Sequence, residues 1–300
     1  MSGAATIALE AGDLALSLAP ALGGAIAGFR RKDFHLMRPT SPEALDQGAV
    51  RLTSSYPLIP YSNRVAQARF THEGVEHRLA LNFGDHPHAI HGNAWQRPWQ
   101  VLEQTSTRCR LALEHNPEGE SVKEWPFAYR AEQSFDLDDE GFTLTLMLKN
   151  RDTRSMPAGF GLHPFFPKRP DVRLQFAASE VYQTGPGSLP ADAVVGPEAW
   201  DYRSLRALGD PQLDNCFRGW DGKARIGFQE VGIGLRIEAD PVFSHLVVYV
   251  PAGRDFFAVE PVSHMNNAVN RPDAVDNGLS NIAPGEQLTS RVRFAVETLL

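Results

Sequence analysis

Four segments of the sequence place polar side chains among aromatic residues, glycine and proline, which a strand in a protein core does not require. Each segment holds a titratable or amide side chain suited to proton transfer or hydrogen bonding. A rigid wall that aims a few polar groups inward is typical of a small-molecule pocket. The segments are residues 57–64, 86–92, 159–166 and 256–261, and a weaker fifth segment covers residues 214–217.

His163 is the first candidate for acid–base chemistry, because an imidazole with an ordinary pKa of about 6.5 gives and takes protons near neutral pH. Pro164 follows it and disfavours helical backbone at residue 163, so we expect an extended or turn conformation there. Two phenylalanines come next. Residue type alone favours a partly buried histidine that binds a loop carbonyl, so the catalytic interpretation needs support from other residues.

Glu260 is the second candidate, because it follows an apolar stretch and precedes Pro261. A carboxylate is costly to bury without a partner. Burial would raise its pKa from about 4.3 toward the range that suits a general base. A structural glutamate that pairs with an arginine or binds backbone amides is the equally weighted alternative.

Three histidines in one loop, His86, His88 and His91, have a spacing at which imidazoles can bind zinc. Ala89 and Ile90 follow His88, so the run lacks a carboxylate ligand, and the chain has neither a His-Glu-x-x-His motif nor a paired-cysteine motif. We therefore expect solvated or backbone-bound histidines and no metal.

Other catalytic motifs are missing from the sequence. There is no Gly-x-Ser-x-Gly elbow, no Walker loop and no dinucleotide-binding glycine motif that opens a helix after a strand. Cys109 lies in a strand-like pattern and is a poor candidate for a catalytic thiol.

The elements that must position these side chains are predicted to be strands. Apolar and polar residues alternate from Phe142 to Lys149, from Val292 to Val296, and in an opening hairpin over residues 6–10 and 14–18. Only residues 197–208 suggest a short helix. Further strands are predicted over residues 108–114, 225–230, 234–239 and 245–250. Short strands separated by Gly and Pro predict an all-β sandwich or barrel.

The 300 residues are compatible with one large β domain or two smaller ones, and no change in composition marks a boundary, so we predict one domain over residues 1–300. A net charge of −7 with scattered basic residues argues against nucleic-acid binding. No apolar run reaches 18 residues, which argues against a membrane span. Cys109 and Cys216 could form one disulfide, but two cysteines in a chain of this length favour a reducing compartment, the cytoplasm.

Taken together, the polar segments resemble the aldose 1-epimerase, or galactose mutarotase-like, family. The resemblance extends over nearly the whole chain, from the Leu22-Gly23-Gly24 region to the last strand. One short motif would be weak evidence, whereas five in the family's order are fairly specific. The matching motifs are Asn63-Arg64, Ile90-His91-Gly92, His163-Pro164-Phe165-Phe166, Asp214 and Glu260.

The resemblance implies a large antiparallel β-supersandwich with an open carbohydrate-binding cleft and a reaction that interconverts the α and β anomers of a free aldose. Glu260 would be the general base and His163 the general acid. The substrate-binding residues would be Asn63, Arg64, His91 and Asp214. No cofactor is implied, and the partner is a small aldose bound by a monomer or homodimer.

Two alternatives stay open within the resemblance. A related branch acts on hexose 6-phosphates and would need clustered arginines, for which Arg64 and Arg97 are candidates, although no dense group is visible. A non-catalytic sugar-binding module of the same fold is the second alternative.

The sequence also departs from the family's pattern near the predicted site. Asn93 to Trp95 replace a glycine common after His-Gly, and Asn266 lies near Glu260, so glucose and galactose are not assumed as substrates.

Overall fold

A computed structural model describes residues 4–299, and nearly all of their regular structure is β-strand. One α-helix, α1 (Pro42–Asp46), begins at the N-cap Ser41, whose hydroxyl accepts a hydrogen bond from the amide of Ala44. Within residues 4–299, eight short 3₁₀ turns join other elements. The strands are β1 (Ile7–Ala11), β2 (Leu14–Ala19), β3 (Ala25–Arg31), β4 (Phe34–His35), β5 (Pro57–Leu58), β6 (Arg64–Val65), β7 (Arg69–His72), β8 (Val75–Arg78), β9 (Ala89–Ile90), β10 (Gln100–Gln104), β11 (Arg108–His115), β12 (Tyr129–Asp138), β13 (Gly141–Asn150), β14 (Met156–Ala158), β15 (Gly161–Leu162), β16 (Phe165–Pro167), β17 (Val172–Phe176), β18 (Glu180–Thr184), β19 (Pro190–Val194), β20 (Arg206–Ala207), β21 (Asp214–Arg218), β22 (Lys223–Phe228), β23 (Ile233–Ala239), β24 (His245–Tyr249), β25 (Phe256–Val262), β26 (Ser280–Ile282) and β27 (Gln287–Thr298).

Two large antiparallel sheets dominate the fold, as the all-β prediction requires. One has nine strands in the order β10-β11-β12-β13-β27-β23-β22-β17-β20. The other has eight strands, of which seven follow the order β19-β18-β21-β24-β25-β15-β5 and the eighth, β16, pairs with β25. A four-stranded sheet, β1 to β4, and three two-stranded ribbons complete the described part.

Alternation along the strands builds the core of the nine-stranded sheet. In β13, Phe142, Leu144, Leu146 and Leu148 are all at most 1% exposed, whereas the residues between them are half-buried. Phe142 stacks on Phe294 of β27 with ring centroids 4.8 Å apart. Residues of both large sheets belong to one continuous apolar core, so the sheets are packed against each other.

The strands predicted over residues 108–114, 225–230, 234–239 and 245–250 are confirmed as β11, β22, β23 and β24, with ends that differ by two residues or fewer. The opening hairpin is confirmed as β1 and β2, and the terminal alternation lies within β27.

The helix predicted over residues 197–208 is wrong. The segment holds a single 3₁₀ turn, Glu198–Trp200, and then enters β20, which pairs with β17. The Asp201 side chain accepts a hydrogen bond from the amide of Arg203, a local bond that competes with helix formation. The two leucines on which the helical pattern depended, Leu205 and Leu208, are too few for a buried helical stripe.

The two cysteines are free and buried in different sheets, Cys109 in β11 and Cys216 in β21, so the disulfide left open by the sequence does not form. Within residues 4–299, no helix is long and apolar enough to cross a membrane.

Candidate active site

An open cleft of about 760 Å³ lies against the face of β25, and all six predicted site residues line it. Its walls combine aromatic rings with charged groups, which suits a polar ligand that has apolar faces. The lining residues used below are Arg38, Arg51, Tyr56, Asn63, Arg64, Asn82, His91, His163, Phe165, Asp214, Arg254, Phe256 and Glu260.

Strand register brings His163 and Glu260 together. β15 and β16 are short strands on either side of His163, and both pair with β25, with Gly161 opposite Val262 and Phe165 opposite Ala258. Counting inward from these two pairs puts residue 163 opposite residue 260. Cross-strand neighbours share a face of the sheet, so both side chains point into the cleft.

The two side chains are close and almost fully buried. His163 Nε2 lies 3.4 Å from Glu260 Oε1, and the residues are 8% and 2% exposed. Nδ1 of His163 and Oε2 of Glu260 are buried without a hydrogen-bond partner in the described residues. Buried polar atoms are normally paired, so orphaned ones mark a site whose partner is a ligand or water.

Burial shifts the pKa values of the pair in opposite directions. Desolvation, with a smaller contribution from the charge of Arg38, lowers the pKa of His163 to about 3. Desolvation also raises the pKa of Glu260 well above its usual range; Asp214 adds to this shift and Arg64 opposes it. The environment therefore favours the uncharged form of each group.

Arg64 is held by its neighbour in sequence. Asn63 adopts a positive φ of 59°, and its Oδ1 accepts from the backbone amide and Nη1 of Arg64, both at 2.9 Å. Nη2 of Arg64 lies 3.9 Å from Asp214 Oδ2, and its Nε is buried without a partner in the described residues. Asp214 begins β21, and its side chain is 48% exposed on the cleft wall.

His91 faces the cleft from the turn after β9 with a φ of 65°. Its Nδ1 accepts from the amide of Asn63 at 3.1 Å, so a neutral imidazole carries its proton on Nε2. Burial, followed by the proximity of His163 and Arg64, lowers the pKa of His91 well below its usual value. Its ring centroid lies 5.4 Å from that of His163.

The three-histidine metal arrangement does not form. Nδ1 of His88 accepts from the amide of Gln67, and its Nε2 lies 3.0 Å from the carbonyl of Gly187, so both nitrogens are occupied by backbone. No group of three potential ligands with metal-binding geometry is found in residues 4–299.

Sequence reasoning missed several side chains of the cleft. Asn82 binds the strand before His91 and the glycine after it, and Tyr56 packs against His163 with ring centroids 4.9 Å apart. Arg38 lies over Phe165. Tyr56 stands directly before the first polar segment, and Asn82 lies four residues before the segment that begins at His86; Arg38 is distant from every polar segment.

Other residues near the cleft are structural. His264 accepts from the amide of Ser62, and Asn267 accepts from the amide of Ala66, so both support the segment that carries Arg64. Arg97, a candidate for phosphate binding, instead forms a salt bridge with Glu124 outside the cleft lining.

The model of the aldose 1-epimerase family matches residues 6–295. The chain belongs to this family. The family assignment predicted from the five motifs is thus confirmed, and the antiparallel sandwich agrees with the family's fold.

Relatives of similar length support the assignment. The chain is 32% identical to YphB of Escherichia coli (strain K12) over 285 residues, which cover 92% of this chain and 94% of YphB. The crystal structure of a proposed aldose 1-epimerase from Escherichia coli K12 superposes with a TM-score of 0.89 at 30% identity and covers 98% of this chain and 99% of its own. A galactose 1-epimerase from Lactobacillus acidophilus shares the fold, with a TM-score of 0.76 at 18% identity and coverage of 98% and 95% of the two chains.

Proposed function

We propose that this protein is a cofactor-independent aldose 1-epimerase that interconverts the α and β anomers of a free aldose. The observation that supports it best is the buried pair of His163 and Glu260, 3.4 Å apart on the wall of the cleft. An acid and a base side by side suit a reaction in which one oxygen gains a proton while another loses one.

In the proposed reaction, Glu260 takes the proton of the anomeric hydroxyl while His163 protonates the ring oxygen. The bond between C1 and the ring oxygen breaks, and C1 becomes an aldehyde carbon. Rotation about the C1–C2 bond presents the other face of the aldehyde, and the reversed transfers close the ring as the other anomer.

The pair carries one proton throughout this sequence. The proton is on His163 before ring opening and on Glu260 afterwards, so the net charge of the pair does not change. Burial favours neutral His163 and protonated Glu260, which is the state the pair reaches with the open-chain sugar. The site would thereby lower the free energy of the otherwise rare aldehyde form.

Three other residues would bind sugar oxygens. Arg64 offers donors to hydroxyls and to developing negative charge, His91 offers its Nε2–H, and Asp214 accepts from hydroxyls. Asn63 would act indirectly, because its side-chain oxygen is occupied by Arg64.

Polarimetry with freshly dissolved α-anomers tests the proposal. We expect Glu260→Gln and His163→Ala each to reduce the mutarotation rate by about 10²- to 10⁴-fold. Glu297→Gln and His35→Ala, outside the cleft, serve as matched controls with unchanged rates. Near-native turnover in either site variant would contradict the assigned roles, and sugar binding without faster mutarotation by the unmodified protein would support the binding-module alternative.

A sugar with an anionic group is the second candidate substrate, because two exposed arginines, Arg51 and Arg254, also line the cleft. Unlike Arg64, which lies near Asp214, neither forms a salt bridge with a carboxylate of the described residues. Together with Arg38 and Arg64, they bring to four the arginines that line this cleft, a grouping that the sequence reasoning did not anticipate.

Kinetics with glucose and glucose 6-phosphate distinguish the two candidates. If a phosphate binds here, the double variant Arg51→Gln/Arg254→Gln should raise KM for the phosphorylated sugar about 10-fold or more, since a charge-assisted hydrogen bond contributes about 1.5–3 kcal/mol. KM for glucose should not change, and Arg169→Gln is the remote control. An unchanged KM for the phosphorylated sugar would contradict the second candidate.

We further propose a cytoplasmic location and a monomer or homodimer as the working form. Two free, buried thiols are compatible with a reducing compartment.

A further inference from the structure

Arg38 lies in the loop between β4 and α1, and its backbone is tied to the segment that carries His163. Its amide donates to the carbonyl of Phe165 at 2.9 Å, and its carbonyl accepts from the Ser54 hydroxyl at 2.5 Å. The amide of Phe165 in turn donates to the carbonyl of Ser54 at 2.8 Å. These three bonds fix Arg38 and Phe165 relative to each other.

The side chain of Arg38 is equally constrained. Its guanidinium carbon lies 3.8 Å from the ring centroid of Phe165 and 4.7 Å from that of Phe256. Nη2 donates to the carbonyls of Arg51 at 2.9 Å and Thr53 at 2.6 Å. A planar guanidinium that both stacks and donates in this way cannot be replaced by lysine without loss of contacts.

Phe165 connects this cation to the proposed acid. The imidazole of His163 stacks on the Phe165 ring with centroids 4.4 Å apart and an interplanar angle of 25°. The same aromatic ring therefore contacts both the guanidinium and the imidazole, and a shift of the guanidinium would move the surface on which His163 rests.

Arg38 forms no salt bridge within residues 4–299, so its charge acts on the cleft without a paired carboxylate. Desolvation lowers the pKa of Arg38 to about 10, partly offset by Tyr56 and Asp255, which leaves it charged at neutral pH. The titratable groups that face His163 are Glu260 from β25, His91 from the turn after β9, and Tyr56 next to β5.

We propose that Arg38 is a positioning residue for His163. Arg38 holds the Phe165 ring against the imidazole and places a fixed positive charge on the same ring. This charge disfavours the imidazolium and so makes protonated His163 a stronger acid toward a sugar ring oxygen. The inference deepens the proposed function, on which its kinetic consequences rest, but its effect on His163 exists without any substrate.

Nuclear magnetic resonance of the His163 imidazole tests the proposal independently of activity. The signal is assigned by its disappearance in His163→Gln and titrated in the full-length protein, in Arg38→Gln and in Arg38→Lys. Gln keeps a donor for the two carbonyls but removes the charge, and Lys keeps the charge. Arg206→Gln is the matched control, because Arg206 also lies over an aromatic ring, 5.3 Å from Tyr202, and donates to two backbone carbonyls away from the cleft.

We expect Arg38→Gln to raise the pKa of His163, Arg38→Lys to leave it closer to the unmodified value, and Arg206→Gln not to change it. In mutarotation, Arg38→Gln should lower kcat about 10- to 100-fold with little change in KM and move the pH profile of kcat/KM to higher pH.

An unchanged pKa of His163 in Arg38→Gln would overturn the proposal. A higher KM of Arg38→Gln with an unchanged pH profile would also overturn it, because that result would indicate that Arg38 contacts the substrate. If Arg38→Gln does not fold, Arg38→Lys decides, since a His163 pKa raised fully to its ordinary value despite the retained charge would also overturn it. A shifted titration in a protein that accelerates no aldose would refute the proposed function and leave this inference standing.

Discussion

At the scale of single residues, Glu260 combines burial with an unpaired oxygen atom. It is 2% exposed, and its nearest ionisable partner, His163, is itself disfavoured as a cation. Such a group opposes folding whenever it is ionised. We therefore expect the Glu260 carboxyl, which the proposed proton transfer requires, to lower the free energy of unfolding. Packing of the surrounding core must offset this loss.

Glu260→Gln should make the protein more stable than the unmodified form, increasingly so as pH rises. In the unfolded chain the carboxyl ionises near pH 4.3, whereas burial raises its pKa in the folded state. A group with a raised folded pKa contributes stability below the unfolded pKa, and this contribution is lost as pH rises through the folded pKa. Gln resembles the protonated form at every pH, so the difference is small near pH 4.

Urea unfolding between pH 4 and pH 9 measures this difference. Glu297→Gln is the control. Glu297 pairs with Arg225, so removal of its charge should not increase the free energy of unfolding at high pH. A stability difference between Glu260→Gln and the unmodified protein that does not vary with pH would show that Glu260 is not desolvated.

At the scale of elements, the turn that carries His91 depends on one amide side chain. Nδ2 of Asn82 donates to the carbonyls of Ile90 at 2.9 Å and Gly92 at 2.8 Å, and its Oδ1 accepts from the amide of Ile90 at 2.8 Å. Gly92 has a φ of 68°, and a Cβ there would lie 2.0 Å from the carbonyl oxygen of Ile59, so only glycine fits.

Asn82→Ala should lower the free energy of unfolding by about 1–3 kcal/mol, because three backbone groups lose their partner. It should also reduce kcat/KM, since His91 is no longer fixed. Asn82→Asp keeps the acceptor and loses the donors, so we expect its free energy of unfolding and its kcat/KM to lie between those of Asn82→Ala and the unmodified protein. Chemical denaturation and polarimetry check both effects.

Gln175→Ala is the control for this turn. Gln175 lies in β17 of the nine-stranded sheet and donates to one exposed carbonyl, that of Arg203. If Asn82→Ala is less stable but keeps the kcat/KM of the unmodified protein, Asn82 stabilises the turn without positioning His91 for the reaction.

At the scale of the whole molecule, one continuous core joins the two large sheets. The cleft is built on the seven-strand path that contains β25, whereas the longest apolar alternations belong to the nine-stranded sheet. If both sheets belong to a single domain of 300 residues, damage to one must destabilise the other.

Phe294→Ala should test this cooperativity. Phe294 is 0% exposed and stacks on Phe142, so we expect a loss of about 3–5 kcal/mol. In both the unmodified protein and the variant, the change in tryptophan fluorescence and the loss of sugar binding should occur at the same urea concentration. Val275→Ala, at a position 67% exposed, should have no measurable effect. Two separate transitions would contradict the single domain.

Much of the strand content could be predicted from the sequence, because alternation is a local property that a half-buried strand requires. Phe142 to Leu148 illustrate this, and β22 to β24 follow from similar short patterns. The segment 197–208 shows the limit, since local side-chain bonds and pairing with β17 override a weak helical pattern.

The polar motifs alone brought His163, Glu260, Arg64, His91 and Asp214 to attention, and the family resemblance gave them roles. Their proximity was decided by tertiary structure, because register across β15, β16 and β25 joins residues almost 100 positions apart. The same holds for Arg38 and Asn82, which no local motif marks. Long-range strand pairing and burial set their contacts and the pKa shifts of the pair, and neither is encoded in any short stretch of the chain.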